Sequence, residues 1–137
     1  MEILVHAHSG LRYVVLGLLL GAIAIAFSKK DAGTSKIYLF AMVSTHVQLL
    51  LGLALYTWSP KVNFSMMKDA FYRFYNVEHL TGMIIAIVLI TIGYSKAKRM
   101  NTAKRHKTVL LFYSLGLLII LASIPWPFRA NLGGSWF

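Results

Sequence analysis

Residues 14–27 read VVLGLLLGAIAIAF, fourteen consecutive positions from Val14 to Phe27 without a polar side chain. The apolar run extends back to about residue 5, which gives it the ~20 residues that a helix needs to cross ~30 Å of hydrocarbon. Backbone groups in lipid must be satisfied within the segment, so such a run is a helix rather than a strand. Three further stretches have the same character: residues 37–58, 71–94 and 108–124. The alternation of a membrane barrel is absent.

Composition agrees. Of 137 residues 58% are hydrophobic and 13% charged, where soluble domains carry about 25% charged residues. Mean hydropathy is +0.66, which excludes disorder and makes a bilayer the expected solvent. The chain has no cysteine, which excludes disulfides, iron–sulfur clusters and thiolate-bound zinc. The expected fold is all-α: one integral membrane domain over residues 1–137, an up-down-up-down four-helix bundle. Short links at 28–36 and 95–107 make the helices they join antiparallel. Pro60 ends the second helix. In the longer middle link, Phe64, Met66 and Met67 are expected to lie flat at the membrane interface. Gly17 and Gly21, spaced GxxxG, would permit close helix contact.

The net charge of +10 is unevenly placed. Lys29, Lys30, Lys36, Lys96, Lys98, Arg99, Lys104, Arg105 and Lys107 fall at one end of the bundle. Lys61, Lys68, Arg73 and Arg129 fall at the other, with Arg12 near it. The richer end should be cytoplasmic, which puts both termini outside. The cluster sets orientation and touches anionic lipid; no nucleic-acid partner is expected. No basic stretch precedes the first apolar run and no cleavage-like site follows it, so the first helix is expected to stay as an anchor. Tyr13, Tyr56, Trp58, Tyr72, Tyr75 and Trp126 sit at the outer helix ends, where aromatic belts form.

Polar residues inside a bilayer are costly, so the exceptions inform. They are His8, Arg12, His46, Gln48, Glu78 and His79. At about 1.5 Å per residue, His8 and His79 lie roughly 30 and 24 Å above the cytoplasmic helix ends, and His46 roughly 15 Å. The first and third helices run the same way and can face each other diagonally. Two imidazoles on such helices can ligate one haem iron, with the porphyrin in the bundle core. Arg12, one turn after His8, is placed for a haem propionate. Gly82, three residues after His79, would leave room for a flat ring. Glu78 would orient an imidazole, pair with Arg12 or accept a proton. His46 and Gln48 with Gly52 would line the same cavity or a quinone-sized one.

Each residue also has a plainer reading. His8, His79 and His46 can be interhelical hydrogen-bonding groups, and for His46 that is the favoured role. Arg12 can snorkel to the interface, and Glu78 can be a solvated or paired charge. His6 is expected in solvent and His106, within KRHK, at the surface. Three histidines can hold zinc or copper, but the depth of His46 works against that. No nucleophile elbow, P-loop or carboxylate pair is present.

Several segments together resemble a family of small four-helix bacterial membrane proteins labelled "cytochrome B". They are HSGLRY at 8–13, HVQLLLGLALY at 46–56, Glu78–His79, IGYSKAKR at 92–99 and IPWPF at 124–128. More distantly, the chain is similar to one four-helix half of the haem A synthase family, in which histidines on two helices of like direction bracket a b-type haem. Gln48 to Gly52 is close to that family's Gln-x-x-Leu-Gly-like pattern. His8 and Arg12 resemble its His-Arg pair, though four apart instead of adjacent. The resemblance implies His79 as second axial ligand. The chain is half the synthase length, so synthase activity is not implied.

The expectation is a small b-type cytochrome of the bacterial inner (cytoplasmic) membrane. It would carry haem b on His8 and His79 and transfer single electrons, with a quinone or a larger membrane redox complex as partner. It is more an electron carrier or complex subunit than a stand-alone enzyme. The alternative is a cofactor-free structural subunit of a membrane complex. A proton path through His46, Gln48 and Glu78 is the weakest alternative, because the cytoplasmic halves lack a continuous polar line.

Overall fold

The structure is a computed structural model that describes residues 1–29 and 35–136. Lys30 and most of the first link lie outside the described residues. Among those described, four helices are long and apolar enough to cross a membrane and there is no strand. They are α1 (Glu2–Ser28), α2 (Ser35–Trp58), α3 (Ala70–Ala97) and α4 (Thr102–Ser123).

Caps and breakers account for the ends. The Asp69 carboxylate accepts from Phe71 N–H and starts α3. The side chain of Asn101 accepts from Lys104 N–H, so α4 begins six residues before the apolar run that marks it in the sequence. A good N-cap contributes about 1 kcal/mol, enough to keep the basic turn TAKRHK helical. Pro125 disfavours helix at Ile124, and α4 stops at Ser123. The middle link forms a short 3-10 turn at Phe64–Met66. Phe64 and Met66 are exposed there, whereas Met67 turns inward and its sulfur accepts from Asn76.

The helices form a ring in which α1 packs on α2 and α4, and α3 packs on the same two. Gly21 lies against Ile37, and Gly52 against His8, so α1 and α2 are antiparallel. Gly82 meets Ser123 and Gly93 meets Phe112, which makes α3 and α4 antiparallel. α1 and α3 therefore face each other across the diagonal. The core is close-packed through small residues. A methyl at Gly116 would come 2.6 Å from Ile90 Cγ1, so the α3–α4 seam depends on the missing side chain. Of the GxxxG pair only Gly21 serves such a contact; Gly17 faces open space.

Within α3, residues Phe74–Glu78 form a π-turn. The turn is tied at its middle residue: Tyr56 donates to the Asn76 carbonyl at 2.9 Å, and the buried Asn76 side-chain amide donates to the Asn63 carbonyl at 2.8 Å. π-turns are rare and concentrate at functional sites. This one immediately precedes His79.

Candidate functional site

At the end of the bundle where α1 starts, the four helices part around a cavity of about 190 Å³. Apolar side chains such as Val15, Met83, Ile87 and Ile120 line part of it. His8, Arg12, Gln48, Lys61, Tyr75 and His79 supply the polar lining. Among the described residues no Asp or Glu lines it.

His8 is seated by α2. The Gln48 amide donates to the His8 carbonyl at 2.8 Å. A methyl placed on Gly52 would lie 3.1 Å from His8 Cε1, so the imidazole rests where residue 52 has no side chain. His8 Nδ1 is buried and has no hydrogen-bond partner. His79 is seated by α4: its Nδ1 donates to the Ser123 carbonyl at 2.7 Å. A carbonyl only accepts, so the proton sits on Nδ1 and the Nε2 lone pair is left available. That is the second-shell pattern of a metal-ligating histidine. The two ring centres are 6.3 Å apart with planes at 71°. Two imidazoles on one metal, with metal–nitrogen bonds of about 2 Å, hold their ring centres about 6 Å apart.

Arg12 approaches from α1. Its Nη2 donates to the Trp136 carbonyl at 2.6 Å and to the Tyr13 hydroxyl at 3.1 Å. Its Nε is buried and unpartnered. Lys61, from the middle link, places Nζ 4.8 Å from the centre of the Tyr75 ring. Lys61 is exposed as a whole, and the desolvation of part of its side chain lowers its amine below the ordinary lysine value. Tyr75 in turn donates to the Leu132 carbonyl at 2.9 Å. The segment after α4 thus folds back, with Leu132 buried and Gly133, Gly134 and Ser135 completing the lining.

Other residues singled out in the sequence lie elsewhere. Gly82 does not line the cavity; its face is filled by Ser123 of α4. The glycine that gives way to a ring is instead Gly52, which lies against the His8 imidazole and lines the cavity. His46 is also outside the lining: Nδ1 donates to the Met42 carbonyl at 2.9 Å, and Nε2 lies 3.4 Å from the Thr91 hydroxyl. Glu78 pairs with Arg73 at 2.9 Å, both about half exposed, and orients neither histidine. His106 is not a surface residue. It is 3% exposed, and its Nδ1 lies 2.9 Å from the Tyr38 hydroxyl. His6 is exposed.

Among the described residues no three or more His, Asp or Glu come together to hold a metal ion. The donor set that does assemble is a pair of imidazoles. It suits a metal whose other ligands arrive with it, as the four nitrogens of a porphyrin do. The volume is below the ~300–1,000 Å³ of ordinary small-molecule sites, so a macrocycle enters only as the lining gives way. The part of that lining outside the helices comes from Ser59, Lys61 and Val62 of the middle link and from Ile124, Pro125 and residues 133–135 after α4.

No family model matches this chain, and no curated protein or solved structure does.

Proposed function

We propose that this chain is a small integral membrane b-type cytochrome that carries single electrons, with haem b held between His8 and His79. The observation that carries the reading is the pair itself. Two imidazoles from diagonal helices meet at 6.3 Å in one largely apolar cavity, with one ring nitrogen buried and unsatisfied. A buried polar atom without a partner calls for an explanation, and a bound group at this place supplies one.

The chain's own residues divide the work. His79 offers Nε2 because Ser123 holds the proton on Nδ1. His8 offers its imidazole from a backbone pinned by Gln48. Arg12 presents a cation to a propionate. The helices would exclude water from the site, and that dryness together with the two imidazoles would tune the potential. When bound, the haem supplies one-electron chemistry.

In this reading the basic end, with Lys96, Lys98, Arg99, Lys104, Arg105 and Lys107, faces the cytoplasm and the cavity end faces outward. The membrane is the bacterial inner membrane. The electron partner is a quinone or a subunit of a larger membrane redox complex. The resemblance to the "cytochrome B" family points the same way.

The second reading is a cofactor-free accessory subunit. The bond from His79 to Ser123 favours it, since an interhelical hydrogen bond alone would retain a histidine there. Absorbance separates the two. The purified full chain should show a Soret band and a reduced α-band, quantified as the pyridine haemochrome, and His8→Ala or His79→Ala should lose most of it. A colourless protein, or full haem in both variants, refutes the cytochrome.

A further inference from the structure

We infer that the cavity selects a ligand bearing two acidic groups, taken by Arg12 and Lys61, and that Lys61 is the specificity-determining residue for the second. The inference rests on the cytochrome reading for the ligand's identity but has its own observations.

Two cations line one cavity, and no carboxylate side chain among the described residues lines it with them. Among the described residues the single ion pair, Arg73–Glu78, uses neither of them. Arg12 has spent Nη2 on Trp136 and Tyr13 and keeps a buried Nε unpartnered. An N–H left so is costly, and more costly on a charged group. Lys61 comes from a different segment, with its amine near the Tyr75 face and its charge disfavoured by partial burial. An anion beside it reverses that penalty. A flat apolar body with two carboxylates on one edge satisfies both cations while its faces meet apolar side chains. The porphyrin of haem b has this form, with two propionates. Lys61 is thus read as the partner of the propionate that Arg12 does not take.

The test is a titration of the full chain, purified without haem, in detergent. Four probes are compared: iron protoporphyrin, its dimethyl ester, and the metal-free forms of both. Binding is read by the Soret shift for the iron forms and by porphyrin fluorescence for the metal-free ones. The diacid should bind at least tenfold tighter than the diester in both series. Lys61→Gln should shrink that ratio severalfold, and Lys61→Arg should keep it. Equal binding of diacid and diester, no binding by either metal-free or iron diacid, or a ratio unmoved by Lys61→Gln overturns the inference. The two readings fail separately. A diacid preference that survives while His8→Ala and His79→Ala leave iron binding unchanged upholds the charge selection and removes the axial ligands. Loss of iron binding in those variants with no diacid preference does the reverse.

Discussion

The two ends of the bundle surround a pair of facing rings with very different amounts of space. At one end His8 and His79 face each other at 6.3 Å beside open space, and His8 Nδ1 has no partner. At the other, His106 and Tyr38 lie at nearly the same separation, 6.4 Å, but in a solid core. Tyr38 bonds to His106, and Tyr113 donates to the Tyr38 carbonyl at 2.7 Å. Both tyrosines and Val109 are almost fully buried. The first pair spans the α1–α3 diagonal and leaves it open; the second spans the α2–α4 diagonal and closes it. Ring distance and burial are therefore shared by a site and a strut. What separates them is adjoining volume, since each end leaves one buried ring nitrogen without a partner, His8 Nδ1 and His106 Nε2.

The largest contrast should come from alanine at each end. His8→Ala and His79→Ala should each remove at least about nine-tenths of bound haem, a loss of ~1.4 kcal/mol or more in binding, with the fold kept. His106→Ala should leave haem per protein unchanged and lower unfolding stability by about 1–3 kcal/mol, because the buried bond between His106 and the Tyr38 hydroxyl is lost. If His106→Ala bleached the protein and His79→Ala did not, the roles of the two ends would be exchanged. Next, Gly52→Leu fills the space under His8 and should weaken haem binding about tenfold, or ~1.4 kcal/mol. Gly17→Leu, facing open space, is the control and should bind normally in the same titration.

A smaller effect is expected at His46. His46→Ala removes its bond to the Met42 carbonyl and its contact with Thr91, whose hydroxyl donates to the Ile87 carbonyl, but touches no cavity wall. Interhelical bonds in membranes are worth about 0.6 kcal/mol on average, so denaturation should shift slightly and the Soret band should not move. The smallest effect is with pH. Burial lowers the Lys61 amine below its ordinary 10.5, so the folded chain releases this proton at a lower pH than the unfolded chain does. Below both values the unfolded form is favoured by this group, and stability recovers as pH rises through the folded value. The same deprotonation discharges the cation, so the diacid advantage should fade before pH 10.5 is reached. An advantage that persists unchanged to that pH would show that Lys61 does not provide it.

The spans were legible because fourteen apolar residues in a row have one physical solution in lipid. Their ends were less so. The start of α4 depends on the cap at Asn101, and hydropathy does not register a helical turn made of Thr102, Ala103, Lys104 and Arg105. His106 was misread for the same reason: its charged neighbours look like surface. A signal was there, since 106, 109, 113, 116, 117, 120 and 123 form one buried helical face. His8 and His79 stood out because histidine is conspicuous among aliphatics. Which glycine makes room was not legible from one helix, because the gap at Gly52 belongs to α2 and the ring to α1. Glu78 found Arg73, five residues back, through the π-turn, which no periodicity foretold. Lys61 carried no sequence signal; a lysine after Pro60 reads as an ordinary link residue until the fold brings it to Tyr75.

The backbone after α4 is moored twice, to α3 where Tyr75 holds the carbonyl of Leu132, and to α1 where Arg12 and Tyr13 hold that of Trp136. Those two helices are the ones that carry the imidazoles. Any guest that wedges them apart must stretch or unclip this tape. A pair of labels at its moorings would act as a strain gauge, registering from outside whether anything has arrived within.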